Sequence, residues 1–445
     1  MPKHPLRRIV VMLIGSVLLI VAGCSHSSNK GENQQDVPSP QVVQKKEPLV
    51  FRITWKTYSG RGEAIRKIVQ AYNEQSTSKY EITLADGDED RDTIEALLDH
   101  KTPDHADLYV LPYRYIQYFG EQGKLLNITS DFKQEQDLFY EELWNLSVLN
   151  NQVYGIPWLS HSMGLIYNQD LLEKSGVDPT EINSLERLVL ALEKVERSTT
   201  AKGIGLVGAN HHDITWMVNQ FIYGFNSSLV NADGSKVMIN NKKSKSALEF
   251  YKDVLGQHAQ GSWTTDTGIE VMDYFRKGKV AFEIQSIWGV TDIWKNGNPF
   301  KVGVIPLKNV GLKAEIGPMM VALPAQIDEQ KKEAGIQFMK YLISVEGQEK
   351  VLDGEYSVEH DTYYPFRIPV RKDLVHSRLF ETNPLFLPFL EGLNDPSIDV
   401  PTPRWEIVKK DLYEEGLHQV MTNELTIDEF LREMETKGND ILLEP

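Results

Sequence analysis

The sequence predicts an α/β protein built as two lobes, and three observations predict it. Its 445 residues exceed what one hydrophobic core organises, so two lobes of roughly 150 to 200 residues each are expected. From Leu49 onward, short β-branched runs alternate with helical patterns, the signature of packed strand and helix layers. Between Asn151 and Asp178, a turn, two short apolar runs and a helix start follow in close succession. Pro157 cannot donate a ladder hydrogen bond, so the chain between the two runs reads as an exposed crossing segment. Trp158, Ser160 and His161 lie beside it, where a cleft could form.

The chain opens with Lys3, Arg7 and Arg8, then an apolar run from Ile9 to Ala22. That run is shorter than the ~20 residues that span a bilayer, so residues 1–23 read as a secretory signal. Val21-Ala22-Gly23-Cys24 resembles the bacterial lipobox, in which Cys24 would be diacylated on sulfur and become the new N-terminus. Cys24 is the only cysteine, so no disulfide is expected. Ser25 to Glu47 is rich in Ser, Asn, Gln, Lys, Glu and Pro, which makes 24–48 a lipidated Cys and a disordered tether. Removing the three basic residues of the leader takes the net charge from −16 to −19. Such a balance argues against nucleic acid and against adsorption on an anionic membrane surface, leaving the lipid as the only membrane contact. A hydrophobic content of 41% is enough to build two cores.

Leu49 to Thr54 alternates as a strand and leads through Trp55, Tyr58 and Gly60 into a helix from about Gly62 to Glu74. Ligands gather at the carboxyl ends of such strands, which favours Trp55 and Tyr58. Tyr80 to Leu84 is the next strand and Asp92 to His100 the next helix. The acids from Asp86 to Asp92 lack the glycine and the final glutamate of a calcium loop, and read as a turn with helix-capping acids. Ala106 to Leu111 reads as a buried strand, followed by Pro112-Tyr113 and a helix. Past the central stretch, Ser184 to Ser198 is amphipathic with Leu188, Leu192 and Val195 on one face. Gly203, Gly205 and Gly208 match a dinucleotide fingerprint by letter. They follow a helix and look like a strand, however, so no cofactor is expected. Trp216 to Phe225, Ser244 to Leu255 and Val271 to Lys277 read as helices, and Lys279 to Gln285 as a strand leading to Trp288.

Several of these stretches carry a family pattern. Val153-Tyr-Gly-Ile-Pro157, Gly164-Leu-Ile-Tyr-Asn168 and Leu171-Leu-Glu-Lys-Ser-Gly-Val-Asp178 resemble the first crossing between lobes in the extracellular solute-binding proteins of ABC importers, the carbohydrate-binding family that includes maltose-binding protein. Phe275-Arg-Lys-Gly-Lys-Val-Ala-Phe282 with Trp288 resembles the second-lobe signature of that family, with Ser286-Ile287 where a small residue is usual. Phe300 to Leu307, Tyr363 to Arg371 and Pro401 to Trp405 resemble later parts of the same pattern. The resemblance implies a two-lobed periplasmic-binding-protein-like fold with three interlobe crossings. It places an N-terminal lobe at 49–157 and 308–360, and a C-terminal lobe at 158–307 and 361–445. It further implies a monomeric receptor, lipid-anchored on the extracytoplasmic face, that hands a mono- or oligosaccharide to ABC permease subunits without catalysis.

A carbohydrate offers apolar C–H faces and a rim of hydroxyls, so its site needs flat aromatic rings with carboxylates, amides or Arg nearby. Trp55, Tyr58, Tyr113, Trp158, Trp216, Trp263, Trp288 and Trp405 fall at loop or element-end positions and form the expected stacking set. His161, Glu283 and Arg404 are candidate polar partners; His161 also reads as a structural hinge residue, and Glu283 and Arg404 as members of ordinary surface salt bridges. His211-His212-Asp213 supplies three possible metal ligands, but adjacent side chains rarely point at one ion, and no metal is expected. Two other readings remain: the cleft could take an amino acid, peptide or polyamine, or the chain could be a secreted glycoside hydrolase with two carboxylates flanking the bond.

Overall fold

The computed structural model describes residues 45–443. The leader, Cys24 and the tether up to residue 44 lie outside the described residues. Among those described, no helix is long and apolar enough to cross a membrane.

The first strand, β1 (Glu47–Arg52), starts two residues inside the expected tether, because Glu47 N–H already bonds Lys79 O at 2.9 Å. It pairs in parallel with β2 (Tyr80–Ala85) and β3 (Leu108–Pro112). Leu49, Phe51 and Ile53 are fully buried while Val50 and Arg52 are only partly covered, the period-two pattern of a strand with one core face. A short hairpin follows, β4 (Val148–Leu149) and β5 (Gln152–Val153), turned by Asn150 and Asn151, both at positive φ. Next come β6 (Ile156–Leu159), β7 (Gly164–Asn168), β8 (Lys202–Gly205), β9 (Val280–Gln285), β10 (Val302–Pro306) and β11 (Met319–Ala322). A second hairpin joins β12 (Glu355–Ser357) to β13 (Thr362–Tyr364).

These strands make two main sheets. The first lobe holds the order β2-β1-β3-β11-β6 and the second the order β10-β7-β9-β8. Strands β3, β6, β9 and β11 are buried at every position, as strands covered by layers on both faces must be. Gly203 and Gly205 lie inside β8, where Leu192 and Val271 pack against their missing side chains, so these glycines serve helix–sheet packing. Asp90 caps the helix Arg91–Leu98 through Thr93 N–H at 2.8 Å, which is the use the acidic turn makes of it.

Three segments cross between the sheets and lie side by side. Ser160 and Ile368 exchange backbone hydrogen bonds of 3.3 and 2.9 Å, and Met163 N–H donates to Glu315 O at 3.1 Å. Gly317 stands where any Cβ would meet the His161 ring at 2.5 Å, so the close approach of two crossings requires glycine. Strand pairing corrects the expected lobe limits. β6 runs through Leu159 in the first-lobe sheet, so Trp158 belongs to that lobe. The chain stays on the second lobe through Glu315, whose N–H reaches Gln220 Oε1 at 3.3 Å, and the third crossing falls at Ile368.

One expected helix is shorter than its apolar pattern. Ser244 to Leu255 is α-helical over Lys242–Glu249 and then widens into a π-turn at Phe250–Val254. Another π-turn, Lys409–Tyr413, interrupts the helix between Trp405–Val408 and Glu414–Met421 and brings Lys409 onto Asp399.

Candidate functional site

The cleft is built where both sheets present strand ends to the crossings. Trp55 follows β1, and its ring meets Phe366 edge-on at 6.2 Å. Opposite it, Trp288 sits in the first turn of the helix Ile287–Lys295, held by an Nε1–H bond to Gln285 Oε1 at 2.9 Å. The ring of His161 lies edge-on to Trp288 at 4.9 Å, and His161 Nε2 pairs with Glu315 at 3.0 Å. Between the two indoles lies Arg367, its guanidinium carbon 5.0 Å from the Trp288 ring and 5.6 Å from the Trp55 ring.

A cavity of about 800 Å³ opens beside this cluster. The first lobe contributes Arg61 and Glu355 to its wall; the second contributes Asp213, Trp216, Trp288 and Lys295. Its size suits a small ligand enclosed between domains. Glu355, on β12, lies over the start of the helix Gly60–Gln75, where a Cβ on Gly60 would touch its side chain at 2.4 Å. From there it reaches Lys295 at 2.6 Å and Arg61 at 4.0 Å. Asp213 opens the helix Asp213–Gly224, accepting from Gly268 N–H at 2.9 Å and from Trp216 Nε1–H at 3.3 Å. Burial alone would raise its pKa, but the contacts with His211, His212 and Gly268 outweigh it and hold the carboxyl at about 2. Asp213 is therefore an anion throughout the neutral range.

The expected site residues divide sharply. Trp55, His161, Trp216 and Trp288 come together around the cleft. Tyr58 is 81% exposed in the loop before the first helix. Trp158 is fully buried in mid-strand with its ring 5.6 Å from Phe51, and Trp405 is fully buried against Tyr413 at 5.6 Å. Tyr113 is buried too, its hydroxyl accepting from Val400 N–H at 3.0 Å. Trp263 packs edge-on to Tyr251 in the second lobe, 6.1 Å away. These four therefore correct the expectation of a set at open element ends: each completes a core or a packing contact. Glu283 lies inside β9, 1% exposed; burial, then Asp292, pushes its carboxyl well above the usual range. It stands behind the cavity wall, against Gly289. Arg404 donates from Nε to Ile441 O at 3.2 Å, at the far end of the last helix.

Arg61, Arg367, Gln285, Lys295 and Glu355 were not singled out by sequence reasoning. Arg367 lies within the Tyr363 to Arg371 stretch, but only its place beside the crossing, not its type, sets it apart from Arg371. The latter is tied to Asp373 and Ile343 O. His211, His212 and Asp213 bring one donor atom each within 4.8 Å of one another. Both Asp213 oxygens already accept hydrogen bonds, so a cation there would compete with Gly268 and Trp216.

The family model of the bacterial extracellular solute-binding proteins matches residues 67–387. A binding protein of Brucella abortus is 23% identical over 88% of this chain and 93% of its own length. A maltooligosaccharide ABC transporter solute-binding lipoprotein of Streptococcus pneumoniae is 23% identical over 78% of each chain. Among solved structures, maltose-bound MalE3 of T. maritima superposes with a TM-score of 0.74 at 19% identity, covering 89% of this chain and all of the other.

Proposed function

The chain belongs to the bacterial extracellular solute-binding proteins, and from that premise we propose that it captures a mono- or oligosaccharide between its lobes and passes it to an ABC permease. One observation carries the carbohydrate reading: Trp55 and Trp288 stand on opposite lobes about one guanidinium, beside a cavity whose wall mixes carboxylates with cations. Indole faces stack on sugar C–H faces, while Asp213 and Gln285 supply acceptors for hydroxyls. Those residues, with His161 and Trp216, are the proposed binding set. The named relative in Streptococcus pneumoniae and the maltose-bound neighbour point the same way.

Binding drives closure because only a ligand that touches both lobes gains from bringing them together. No step of bond breaking is assigned. Cys24 is proposed as the lipid anchor that keeps a monomeric receptor on the extracytoplasmic face of the membrane. Changing Cys24 to Ala should release the protein into the medium; retention on membranes would defeat the anchor.

The test of cargo is thermal shift of the purified chain against sugars, amino acids, peptides and polyamines. A ligand at 100 times its dissociation constant stabilises by ~2.7 kcal/mol, a shift of a few degrees. A shift with one sugar class, without turnover, is expected. Shifts by charged amines or amino acids alone would overturn the carbohydrate reading, and sugar cleavage would bring back a hydrolase.

A further inference from the structure

Arg367 is 6% exposed, and among the described residues no carboxylate lies within ion-pair distance of it. Its one hydrogen bond runs from Nη1 to the carbonyl of Phe366 at 2.9 Å, and Nε is buried with no acceptor at all. The charged neighbour that acts on it most strongly, Arg61, has the same sign, and Glu89 and Glu315 act on Arg367 more weakly. Both acids are committed elsewhere, Glu89 to Arg114 at 3.2 Å and Glu315 to His161 at 3.0 Å. Burial, reinforced by Arg61, brings the Arg367 pKa down to about 9. A buried cation without a counter-charge is costly, and it is retained where something supplies the charge.

The geometry says where that charge can come from. Trp288, Trp55 and Phe366 lie within 5.0 to 5.6 Å of the guanidinium carbon, so aromatic rings crowd around the cation. What remains is the donor edge, an unused fork of Nε–H and the second amino group that matches the two oxygens of a carboxylate or a phosphate; Nε has no accessible surface in this arrangement, so an anion meets the second amino group first. The acids of the neighbouring cavity do not fill this place. Of the six in its wall, Asp292 and Asp273 each pair with Arg276 at 2.7 Å, Glu355 pairs with Lys295 at 2.6 Å, Asp213 accepts from Gly268, Asp266 from Gln260 and Ser262, and Glu270 from Thr267. The N-terminal turn of the helix Gly60–Gln75, bearing Arg61, adds its partial positive charge on the same side.

We propose that the cleft recognises an anionic carbohydrate, a sugar whose ring stacks on an indole and whose carboxylate or phosphate oxygens take the free donor edge of Arg367, with Arg61 as second cation. This inference rests on the carbohydrate reading above and narrows it.

The test uses matched probes on the purified chain: galactose and glucose oligosaccharides against the corresponding uronates, and glucose against glucose 6-phosphate. An acidic member bound at least tenfold more tightly than its neutral parent, with affinity falling as salt is raised, is the expected result. Preference for the uronate or for the phosphate ester tells which anion the fork receives. Arg367→Gln should weaken the acidic sugar at least tenfold more than it weakens the neutral parent. If that variant does not fold, Arg61→Gln and the salt dependence of the native chain carry the same comparison. Neutral sugars bound as tightly as acidic ones would overturn the anion site and leave the sugar receptor standing. Binding of neither set, with a shift by amino acids or polyamines, would overturn both.

Discussion

Two buried cations face the interlobe region, and they are treated in opposite ways. Lys409 is 3% exposed and pairs directly with Asp399, which in turn accepts from Asn219 at 2.8 Å; Tyr413 donates to the same asparagine at 2.7 Å. Nearby, Arg114 lies 3.2 Å from Glu89 and 3.9 Å from Glu406. Burial alone would lower the pKa of both bases, yet Asp399 and Glu406 hold Lys409 above its ordinary value, and Tyr115 and Glu89 raise Arg114. Arg367, equally buried, is moved the other way. Burial is thus not what separates structure from site. A buried charge whose partners are built into the chain holds the fold, and one whose partner is missing is available to a ligand.

The largest effect that would break this contrast is on the satisfied side. Asp399→Ala strands Lys409 inside the protein and should cost ~3–5 kcal/mol in urea denaturation, with much of the loss recovered by adding Lys409→Met. If Asp399→Ala is nearly neutral, the network is not structural. The folded-state pKa of Lys409 is raised, so its stabilisation is present below the unfolded value and should fade only as pH climbs through the folded one. A smaller effect belongs to Asp213. Its carboxyl is held at about 2 against an unfolded value near 3.8, a depressed pKa, so it contributes on the order of 2 kcal/mol above about pH 5. That contribution is lost progressively as pH falls toward 2. Asp213→Asn should flatten this acid limb of a pH–stability curve; an unchanged limb would place the acid sensitivity elsewhere.

Trp288 sharpens the comparison from the site's side. Trp288→Ala should weaken sugar binding at least tenfold, about 1.4 kcal/mol, while the melting point stays near normal. Unchanged affinity would remove Trp288 from the site. The same comparison explains what could be read beforehand. Strand–helix alternation was legible because burial in a sheet imposes a period, but the expected exposed crossing was not found: Pro157 lies buried inside β6 opposite Met320, and the chain crosses only after Leu159, through Ser160 and Ser162, which are fully buried. The placement of Trp288 beside the cavity was legible because its surrounding pattern is local. Trp158 and Trp405 were not separable from it, since a tryptophan at an element end and one closing a core have the same letters nearby, and only tertiary packing on Phe51 or Tyr413 tells them apart. Arg61 and Arg367, about 300 residues apart in the chain, both come to the Trp55 ring, and no period in the sequence encodes that.

The smallest effect tests a partner that is built in but only half-buried. Glu355 on the first lobe holds Lys295 on the second at 2.6 Å, with side chains 23% and 27% exposed. Exposed or partly exposed pairs contribute at most about 1 kcal/mol and are screened by salt, so Glu355→Gln should leave global stability nearly unchanged. Its effect should fall on the balance between open and closed lobes, because the pair exists only when the lobes are together. A weakening of closure by that amount changes apparent ligand affinity by no more than about fivefold. The change should shrink in 0.5 M salt, roughly the regime in which screening has already removed the pair. Stopped-flow binding followed by tryptophan fluorescence separates the outcomes: faster ligand release from the variant supports Glu355 as an interlobe tie. If release and affinity are both untouched, the tie contributes nothing, and closure then rests on the indoles and the ligand.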